Sequence, residues 1–269
     1  MSRLAAVFAK LEQDGRKALV PYIVAGDPAP ALTVPLMHEL VSKGADILEI
    51  GVPFSDPMAE GPVIQLAHER ALANKVTLSM VLELVAEFRA TDSTTPVVLM
   101  GYANPVEHMG YQQFADRASA AGVDGLLTVD MPPEEAEQAT QILRAAGIDN
   151  IFLLAPTTSD ERIKKIASLA SGYLYCVSLN GVTGAGHLNI AAVTEKLASI
   201  KRHTNLPITV GFGIKDGASA AALAPLCEGV VVGSALIERI VATDSALNNT
   251  ERAAVAAELI AEIRTAIDA

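Results

Sequence analysis

Cysteine is scarce in this chain of 269 residues, which contains only Cys176 and Cys227. The two lie far apart, form no CxxC motif, and have no histidine at metal-ligand spacing. Disulfide-stapled folds and zinc sites need several ligands at short, regular spacings. The sequence therefore argues against both, and reduced thiols in a cytoplasmic protein are the expectation.

Positive charge is also scarce, because 20 Lys and Arg residues face 31 Asp and Glu residues and give a formal net charge of −11. No basic stripe is available to grip a nucleic-acid backbone. A small anion is still a possible ligand, since backbone N–H groups at a helix N-terminus bind phosphate without Lys or Arg. No apolar run reaches the roughly 18 uncharged residues that span a bilayer, so no entry into a membrane is expected.

Short apolar segments rich in Val, Ile and Leu alternate with helical segments, the pattern of βαβ units on a parallel sheet. The length suits a β/α barrel of about 250 residues. No linker divides the chain, so residues 1–269 are expected to form one domain. The tail Thr250–Ala269 predicts a further helix that packs Val255, Leu259, Ile260 and Ile263 on the barrel. The eight predicted strands are Ala18–Ile23, Ile47–Gly51, Val97–Met100, Gly125–Val129, Ile151–Leu154, Tyr173–Val177, Ile208–Gly211 and Gly229–Val232.

Eight such units form either a closed barrel or an open doubly wound sheet, and periodicity does not separate the two. The polar residues at the strand ends favour the barrel, with Glu49 in the second strand, Asp130 after the fourth and Tyr175 in the sixth. In a barrel the C-terminal ends of the strands converge on one mouth that holds the site. A single (β/α)₈ barrel with additional helices is therefore predicted.

Glu49 is a carboxylate inside a strand that is covered on both faces, where burial is costly unless the group is used. If Glu49 looks into the barrel, desolvation raises its pKa and suits it to general acid and base chemistry near neutral pH. The alternative is a carboxylate at the end of the strand that reaches solvent or a structural arginine. For an arbitrary strand glutamate, that alternative is the commoner one.

A second carboxylate, Glu60, lies in the proline- and glycine-rich loop after the second strand, Gly51-Val-Pro-Phe-Ser-Asp-Pro-Met-Ala-Glu-Gly-Pro62. If this loop brings Glu60 near Glu49, two carboxylates in separately tuned environments face one substrate, as acid–base chemistry requires. The alternative is a solvated turn with capping acids.

Glycines follow three consecutive late strands, where β/α barrels often hold a phosphate. The segments are Gly181-Val-Thr-Gly184, Gly211-Phe-Gly-Ile214 and Gly233-Ser234, the last of which opens a helix. One such pair is weak evidence, because glycines also serve tight turns. Three in consecutive loops predict a phosphate site.

Taken together, these segments resemble the family of tryptophan synthase α subunits along nearly the whole chain. The most specific stretch is Leu48-Glu-Ile-Gly-Val-Pro-Phe-Ser-Asp-Pro57, followed by Gly-Pro-Val-Ile-Gln65. Further matches are Met100-Gly-Tyr-Ala-Asn-Pro105, Asp130-Met-Pro-Pro-Glu134, Gly181-Val-Thr-Gly-Ala185 and Gly211-Phe-Gly213. Generic phosphate-binding barrels share the late glycines but lack the long loop after the second strand.

The resemblance implies retro-aldol cleavage of indole-3-glycerol phosphate to indole and glyceraldehyde 3-phosphate. Glu49 would be the general acid and base, Glu60 would pair with the indole N–H, and Tyr175 would lie beside the catalytic group. The family usually has Asp where Glu60 stands, so the charge is kept while the side chain is one methylene longer. The substrate contacts carried over are Tyr22, Leu127, Leu153 and Phe212 around indole, Gly184, Gly213, Gly233 and Ser234 at the phosphate, and Thr183, which would hold Glu60 when its loop closes.

The resemblance also implies a partner, a β subunit that carries pyridoxal phosphate and receives indole in an α₂β₂ complex. The α subunit holds no cofactor, and no lysine is evident at the mouth for a Schiff base. The loop around Asp56 and the segment around Asn104-Pro105 would face the partner.

Two rival functions stay open at this point. One is another phosphate-binding barrel enzyme, an isomerase or aldolase, which would explain the glycines but not two carboxylates beside an apolar pocket. A class I aldolase would need a pocket lysine and a class II enzyme a metal cluster, and neither is evident. The other rival is a catalytically silent subunit that activates a partner, with Glu60 marking decay of the site.

Overall fold

The chain forms a closed barrel of eight parallel strands, in the order β1 to β8, in a computed structural model that describes residues 2–177, 190–211 and 213–269. Pairing of β1 with β8 closes the barrel and excludes the open doubly wound sheet. The strands are β1 Ala18–Val24, β2 Leu48–Gly51, β3 Val97–Gly101, β4 Gly125–Thr128, β5 Asp149–Leu154, β6 Leu174–Val177, β7 Ile208–Gly211 and β8 Gly229–Val232. The predicted barrel is confirmed.

Helices surround the barrel and connect its strands. Among the described residues they are α1 Arg3–Gln13, α2 Pro30–Ser42, α3 Pro62–Ala73, α4 Leu78–Arg89, α5 Ala103–Met109, α6 Tyr111–Ala121, α7 Glu137–Ala145, α8 Asp160–Leu169, α9 Ile190–Lys201, α10 Gly217–Leu223, α11 Ser234–Ala242 and α12 Asn249–Ile267. None of them is long and apolar enough to cross a membrane.

All eight predicted strands are present, two with the predicted bounds and six with ends shifted by one or two residues. The largest shift is in β5, which begins at Asp149 rather than Ile151 because Gly125 of β4 pairs with Asp149. Backbone pairing extends the strand over two polar residues that an apolar run does not include. In the tail, α12 is present and Leu259, Ile260 and Ile263 are buried as predicted. Val255 is 50% exposed, so the predicted packing of this residue is wrong.

Strand register sets which side chains enter the barrel. Tyr22 of β1 lies level with Glu49 of β2, and Tyr175 of β6 lies level with Leu153 and with Thr209. The hydroxyl of Tyr173, just before β6, donates to the carboxylate of Glu49. Because β2 and β6 are not neighbours, this contact crosses the interior. Since successive side chains alternate between faces, Glu49 and Tyr175 both point inward.

A buried ionic cluster ties the starts of β3 and β4 to α1 and α4. Asp124 accepts hydrogen bonds from the guanidinium of Arg89 at 2.7 Å, from that of Arg3 at 2.9 Å and from the backbone N–H of Val97 at 2.8 Å. Asp124 and Arg89 are almost fully buried, with side-chain exposures of 4% and 9%. This cluster lies at the amino ends of the strands, opposite the mouth.

We expect Asp124→Ala to lower the free energy of unfolding by about 3–5 kcal/mol, because it leaves the buried Arg89 charge without its partner. Glu258→Ala is the matched control, since Glu258 pairs with Lys43 at 2.5 Å while remaining 58% exposed. That loss should stay below about 1 kcal/mol. Urea unfolding of the three proteins measures both values, and equal losses would contradict the role given to the buried cluster.

Candidate active site

A cavity of about 220 Å³ opens at the C-terminal ends of the strands. Its wall combines apolar side chains with two carboxylates, a lysine, two tyrosines, a serine and two glycines. The lining residues are Tyr22, Glu60, Ile64, Met100, Tyr175, Gly213, Ile214, Lys215, Val231, Gly233, Ser234, Ala235 and Glu238. A concave, mostly apolar site with a few polar groups is typical of a small-molecule pocket.

Glu49 is completely buried in the barrel interior. One carboxylate oxygen accepts the hydrogen bond from Tyr173, and the other has no partner among the described residues. Burial raises the pKa of Glu49 to about 7, the Tyr173 hydrogen bond opposes that rise, and the nearby charge of Glu60 adds to it. Its complete burial rules out the alternative in which Glu49 reaches solvent.

Glu60 is 8% exposed and lies at the cavity, where burial raises its pKa to about 7. Its charge acts on Glu49, so the loop after β2 does bring the two carboxylates into one electrostatic environment. The alternative of a solvated turn is therefore wrong for Glu60. Two carboxyl groups that titrate near neutral pH can each give or take a proton there.

Aromatic and polar contacts hold the loop that carries Glu60. The ring of Phe54 stacks on the ring of Tyr102 with centroids 5.1 Å apart, and the Tyr102 hydroxyl accepts the backbone N–H of Ala59 at 3.1 Å. The amide of Gln65, on α3, donates to the backbone oxygen of Glu60 at 2.8 Å. The position of Glu60 is thus fixed from both sides of the loop.

His68 makes a further contact with this loop. It is 2% exposed on α3, its Nδ1 accepts the backbone N–H of Phe54 at 3.1 Å, and its Nε2 lies 3.4 Å from the Tyr22 hydroxyl. Burial lowers the pKa of His68 to about 4. The side chain therefore links the loop, the helix after it and the cavity wall.

Two glycines leave room for the tyrosines of the cavity. A Cβ atom on Gly51 would overlap the hydroxyl of Tyr22, and one on Gly211 would overlap the hydroxyl of Tyr175. Both tyrosines are buried, with exposures of 3% and 5%. A side chain at either glycine would push a phenol ring out of the wall.

The glycine-rich side of the cavity begins with α11. Gly233 precedes the first residue of this helix, Ser234, and no side chain among the described residues caps the helix. The first N–H groups of a helix have no partner within it, and the helix dipole favours an anion there. Gly213 has a φ of +79°, a left-handed conformation that favours glycine. This side of the cavity can bind an anion through its backbone.

The predicted residues fall into three groups. Those lining the cavity are Tyr22, Glu60, Tyr175, Gly213, Gly233 and Ser234, with the buried Glu49 on the same inner face. Leu127 and Leu153 lie on inward positions of β4 and β5 but do not line the cavity. Thr183, Gly184 and Phe212 lie outside the described residues.

Sequence reasoning missed several residues of the site. Met100 and Val231 could have been found, because strand alternation places them on the inner face. Tyr173 is two residues before Tyr175 and shares its face by the same rule. His68 gives no such signal, because its role depends on how α3 folds back on the preceding loop.

One lysine, Lys215, lines the cavity, where the sequence analysis named no lysine for a Schiff base. It is exposed at the rim, whereas a Schiff-base lysine is activated by desolvation or by a neighbouring cation. Within the part of the chain that the structure describes, no group of three or more His, Cys, Asp and Glu side chains could hold a metal ion.

Comparison with known proteins identifies the family. The sequence profile described as "Tryptophan synthase alpha chain" matches residues 8–266. The tryptophan synthase alpha chains of Methylococcus capsulatus and Thioalkalivibrio sulfidiphilus are 56% and 58% identical, and each alignment covers 100% of both chains.

Solved structures agree with the sequence relatives. Tryptophan synthase subunit alpha from Legionella pneumophila superposes with a TM-score of 0.92 at 46% identity, over 100% of this chain and 99% of that one. A chain of tryptophan synthase from M. tuberculosis, in its aminoacrylate-bound form, gives 0.87 at 33% identity, over 99% and 100%. By sequence and by fold, the chain belongs to the tryptophan synthase alpha chain family.

Proposed function

We propose that this chain cleaves indole-3-glycerol phosphate into indole and glyceraldehyde 3-phosphate by a retro-aldol reaction, as a carbon–carbon lyase of tryptophan biosynthesis. The observation that carries this proposal is the pair of buried carboxylates, Glu49 and Glu60, whose pKa values are both raised to about 7 beside one largely apolar cavity. Membership in the family supports the identity of the substrate.

Glu49 is the proposed general acid and base. Its protonated carboxyl gives a proton to C3 of the indole ring, which turns the ring into an electron sink for the C–C bond about to break. The resulting carboxylate takes the proton of the glycerol hydroxyl as that hydroxyl becomes the aldehyde of glyceraldehyde 3-phosphate. One group can do both because its pKa lies near the working pH. Tyr175, which shares the inner face with Glu49, is the proposed neighbour of the reacting carbon.

Glu60 is the proposed acceptor for the indole N–H, whose partial positive charge grows when C3 is protonated. A carboxylate at that nitrogen stabilises the developing charge in a site from which water is excluded. Tyr22, Leu127, Leu153 and Phe212 are the proposed apolar contacts of the ring.

The phosphate is proposed to bind at the glycine-rich side through Gly184, Gly213, Gly233 and the Ser234 hydroxyl. The N-terminus of α11, which no described side chain caps, supports this assignment, because the first N–H groups of a helix and its dipole attract an anion. Thr183 is proposed to hold Glu60 once substrate is bound.

We also propose that residues 1–269 act as one domain in the cytoplasm and bind a β subunit that carries the pyridoxal phosphate, with α₂β₂ stoichiometry. Cys176 and Cys227 are free thiols, as expected in a reducing compartment. Met58, in the loop around Asp56, is 78% exposed, and apolar surface of this kind supports a protein contact near that loop.

Indole release from indole-3-glycerol phosphate by the purified chain tests the proposed reaction. We expect Glu49→Gln to lower kcat by about 10²–10⁴-fold, since the amide can neither give nor take the proton. Glu60→Gln should also lose most activity, whereas Glu60→Asp should retain measurable turnover because it keeps the charge. Glu258→Gln, an exposed carboxylate, is the control. Substrate binding without indole release by the wild type would instead favour a silent activating subunit.

We expect the contribution of Glu49 to the free energy of unfolding to fall as the pH rises, because folding raises the pKa of Glu49 from 4.5 to about 7. Between these values the folded state binds more protons than the unfolded state, so the free energy of unfolding decreases with pH. Glu49→Gln removes this dependence and should gain about 2–3 kcal/mol relative to wild type between pH 5 and pH 8. Urea unfolding at both pH values measures the difference, and a constant difference would contradict the raised pKa.

Gel filtration with the cognate β chain tests the partner. We expect the two chains to co-elute, and Met58→Asp to weaken the complex by placing a charge in the contact. Val255→Asp is the matched control, because Val255 is also an exposed apolar residue but lies on α12. Absence of co-elution for the wild type would overturn the proposed complex, and equal effects of the two variants would overturn the assigned surface.

A further inference from the structure

Tyr22 and His68 form a buried pair at the cavity wall, and the roles above leave the Tyr22 hydroxyl and the His68 ring nitrogens unused. Tyr22 lies on β1 and lines the cavity, and His68 lies behind it on α3, with exposures of 3% and 2%. The Tyr22 hydroxyl and His68 Nε2 are 3.4 Å apart. The loop that carries Glu60 leads directly into α3. The pair therefore lies between β1 and the loop that carries Glu60.

A backbone hydrogen bond determines which ring nitrogen of His68 carries a hydrogen. The N–H of Phe54 donates to Nδ1 at 3.1 Å, so Nδ1 is an unprotonated acceptor. A neutral imidazole has one N–H, which must then be at Nε2. Burial lowers the pKa of His68 to about 4, in agreement with a neutral ring. Nε2 is therefore the donor, and the Tyr22 oxygen is the acceptor.

Because the Tyr22 oxygen accepts a hydrogen bond from His68, the hydrogen of the Tyr22 hydroxyl is available for a different acceptor. A phenol has one hydrogen and can accept and donate at once. Burial and the nearby charges of Glu60 and Glu49 raise the pKa of Tyr22 well above 10, so the hydroxyl stays protonated. Of the two carboxylates, Glu60 acts more strongly on Tyr22, and it lines the same cavity.

We propose that His68 and Tyr22 are positioning residues for the second carboxylate: His68 holds the Tyr22 oxygen, and Tyr22 directs its hydrogen to Glu60 in the substrate-loaded site. The inference rests on the proposed function. A carboxylate has two oxygens, so one can accept from Tyr22 while the other accepts the indole N–H. The donated hydrogen bond favours the charged form of Glu60, against the effect of burial.

The charges around Glu60 make such a donor useful. The titratable groups that face Glu60 within the described part of the chain are Tyr22, Glu49, Tyr102 and Tyr175, with Lys215 and Glu238 in the cavity lining. Substrate brings the further negative charge of its phosphate. The phosphate, and Glu49 whenever it is ionised, oppose ionisation of Glu60, so the Tyr22 hydrogen bond offsets part of that repulsion.

Four variants test the pair through the pH profiles of kcat and KM for indole release. Tyr22→Phe removes the donor, and we expect kcat to fall roughly ten-fold at pH 6.5, with the acid limb moved up by about one pH unit. His68→Asn keeps an acceptor for Phe54 but loses the donor to Tyr22, and should shift the limb in the same direction. His68→Gln places an amide donor near the position of Nε2 and should return the acid limb to its wild-type pH. Tyr111→Phe, which removes a buried hydroxyl outside the cavity, is the control.

The double variant Tyr22→Phe with His68→Asn separates positioning from structural damage. If His68 acts through Tyr22, the double variant should lose no more activity than Tyr22→Phe alone. Additive losses, or an acid limb that Tyr22→Phe does not move, would overturn the pair even if Glu49→Gln and Glu60→Gln are inactive.

Two measurements without turnover distinguish failure of the pair from failure of the proposed function. We expect ¹⁵N NMR of His68 to show the neutral Nε2–H tautomer from pH 5.5 to 8. The opposite tautomer or a charged ring would overturn the inference. If the wild type releases no indole, the proposed function fails. The ¹³C titration of Glu60 with indole and inorganic phosphate present then decides the pair, supporting it if Tyr22→Phe raises the Glu60 pKa and rejecting it otherwise.

Discussion

Burial of the Glu49 carboxylate inside a closed barrel is the constraint on which the site depends. A closed parallel sheet has no edge through which water reaches the strands, so a charge on an inward position loses its hydration. Proton uptake relieves that cost and moves the pKa of Glu49 to about 7. The hydroxyl of Tyr173 opposes the rise by supporting the charged form. Glu49 can therefore exist in both protonation states near neutral pH, as a group that gives and then takes a proton must.

The shape of the cavity next to Glu49 depends on two glycines, which carry no side chain. Gly51 and Gly211 admit the phenol rings of Tyr22 and Tyr175, which wall the cavity with apolar faces while keeping a polar atom at the edge. Both rings come from strands, so the barrel register fixes their height relative to Glu49. Glu60 arrives from a loop instead, and its position depends on contacts that hold the loop against α3 and Tyr102.

The difference between side chains placed by strands and those placed by loops explains which parts of the structure could be predicted from the sequence. Apolar runs that alternate with helical segments are enough to predict the strands, and the two-residue period of a strand shows which side chains share a face with Glu49, although not that this face looks inward. The same rule would have located Met100 and Tyr173. The contacts of a loop follow no repeating sequence pattern, so the burial of Glu60 and the two hydrogen bonds of His68 could not be predicted from the sequence. The error at Val255 has a different origin, because the apolar character of a helix residue does not by itself show that its side chain is covered.

The two carboxylates must differ in charge for the proposed chemistry to begin. Each has a pKa near 7, and the charge on Glu60 raises the pKa of Glu49, so ionisation of one favours the neutral form of the other. With Glu60 charged and Glu49 protonated, an acceptor faces the indole nitrogen and an acid faces the ring carbon. The reverse distribution has the same total charge but is inactive. A hydrogen-bond donor that favours charge on Glu60 selects the productive distribution, and Tyr22, held by His68, is the donor that we propose.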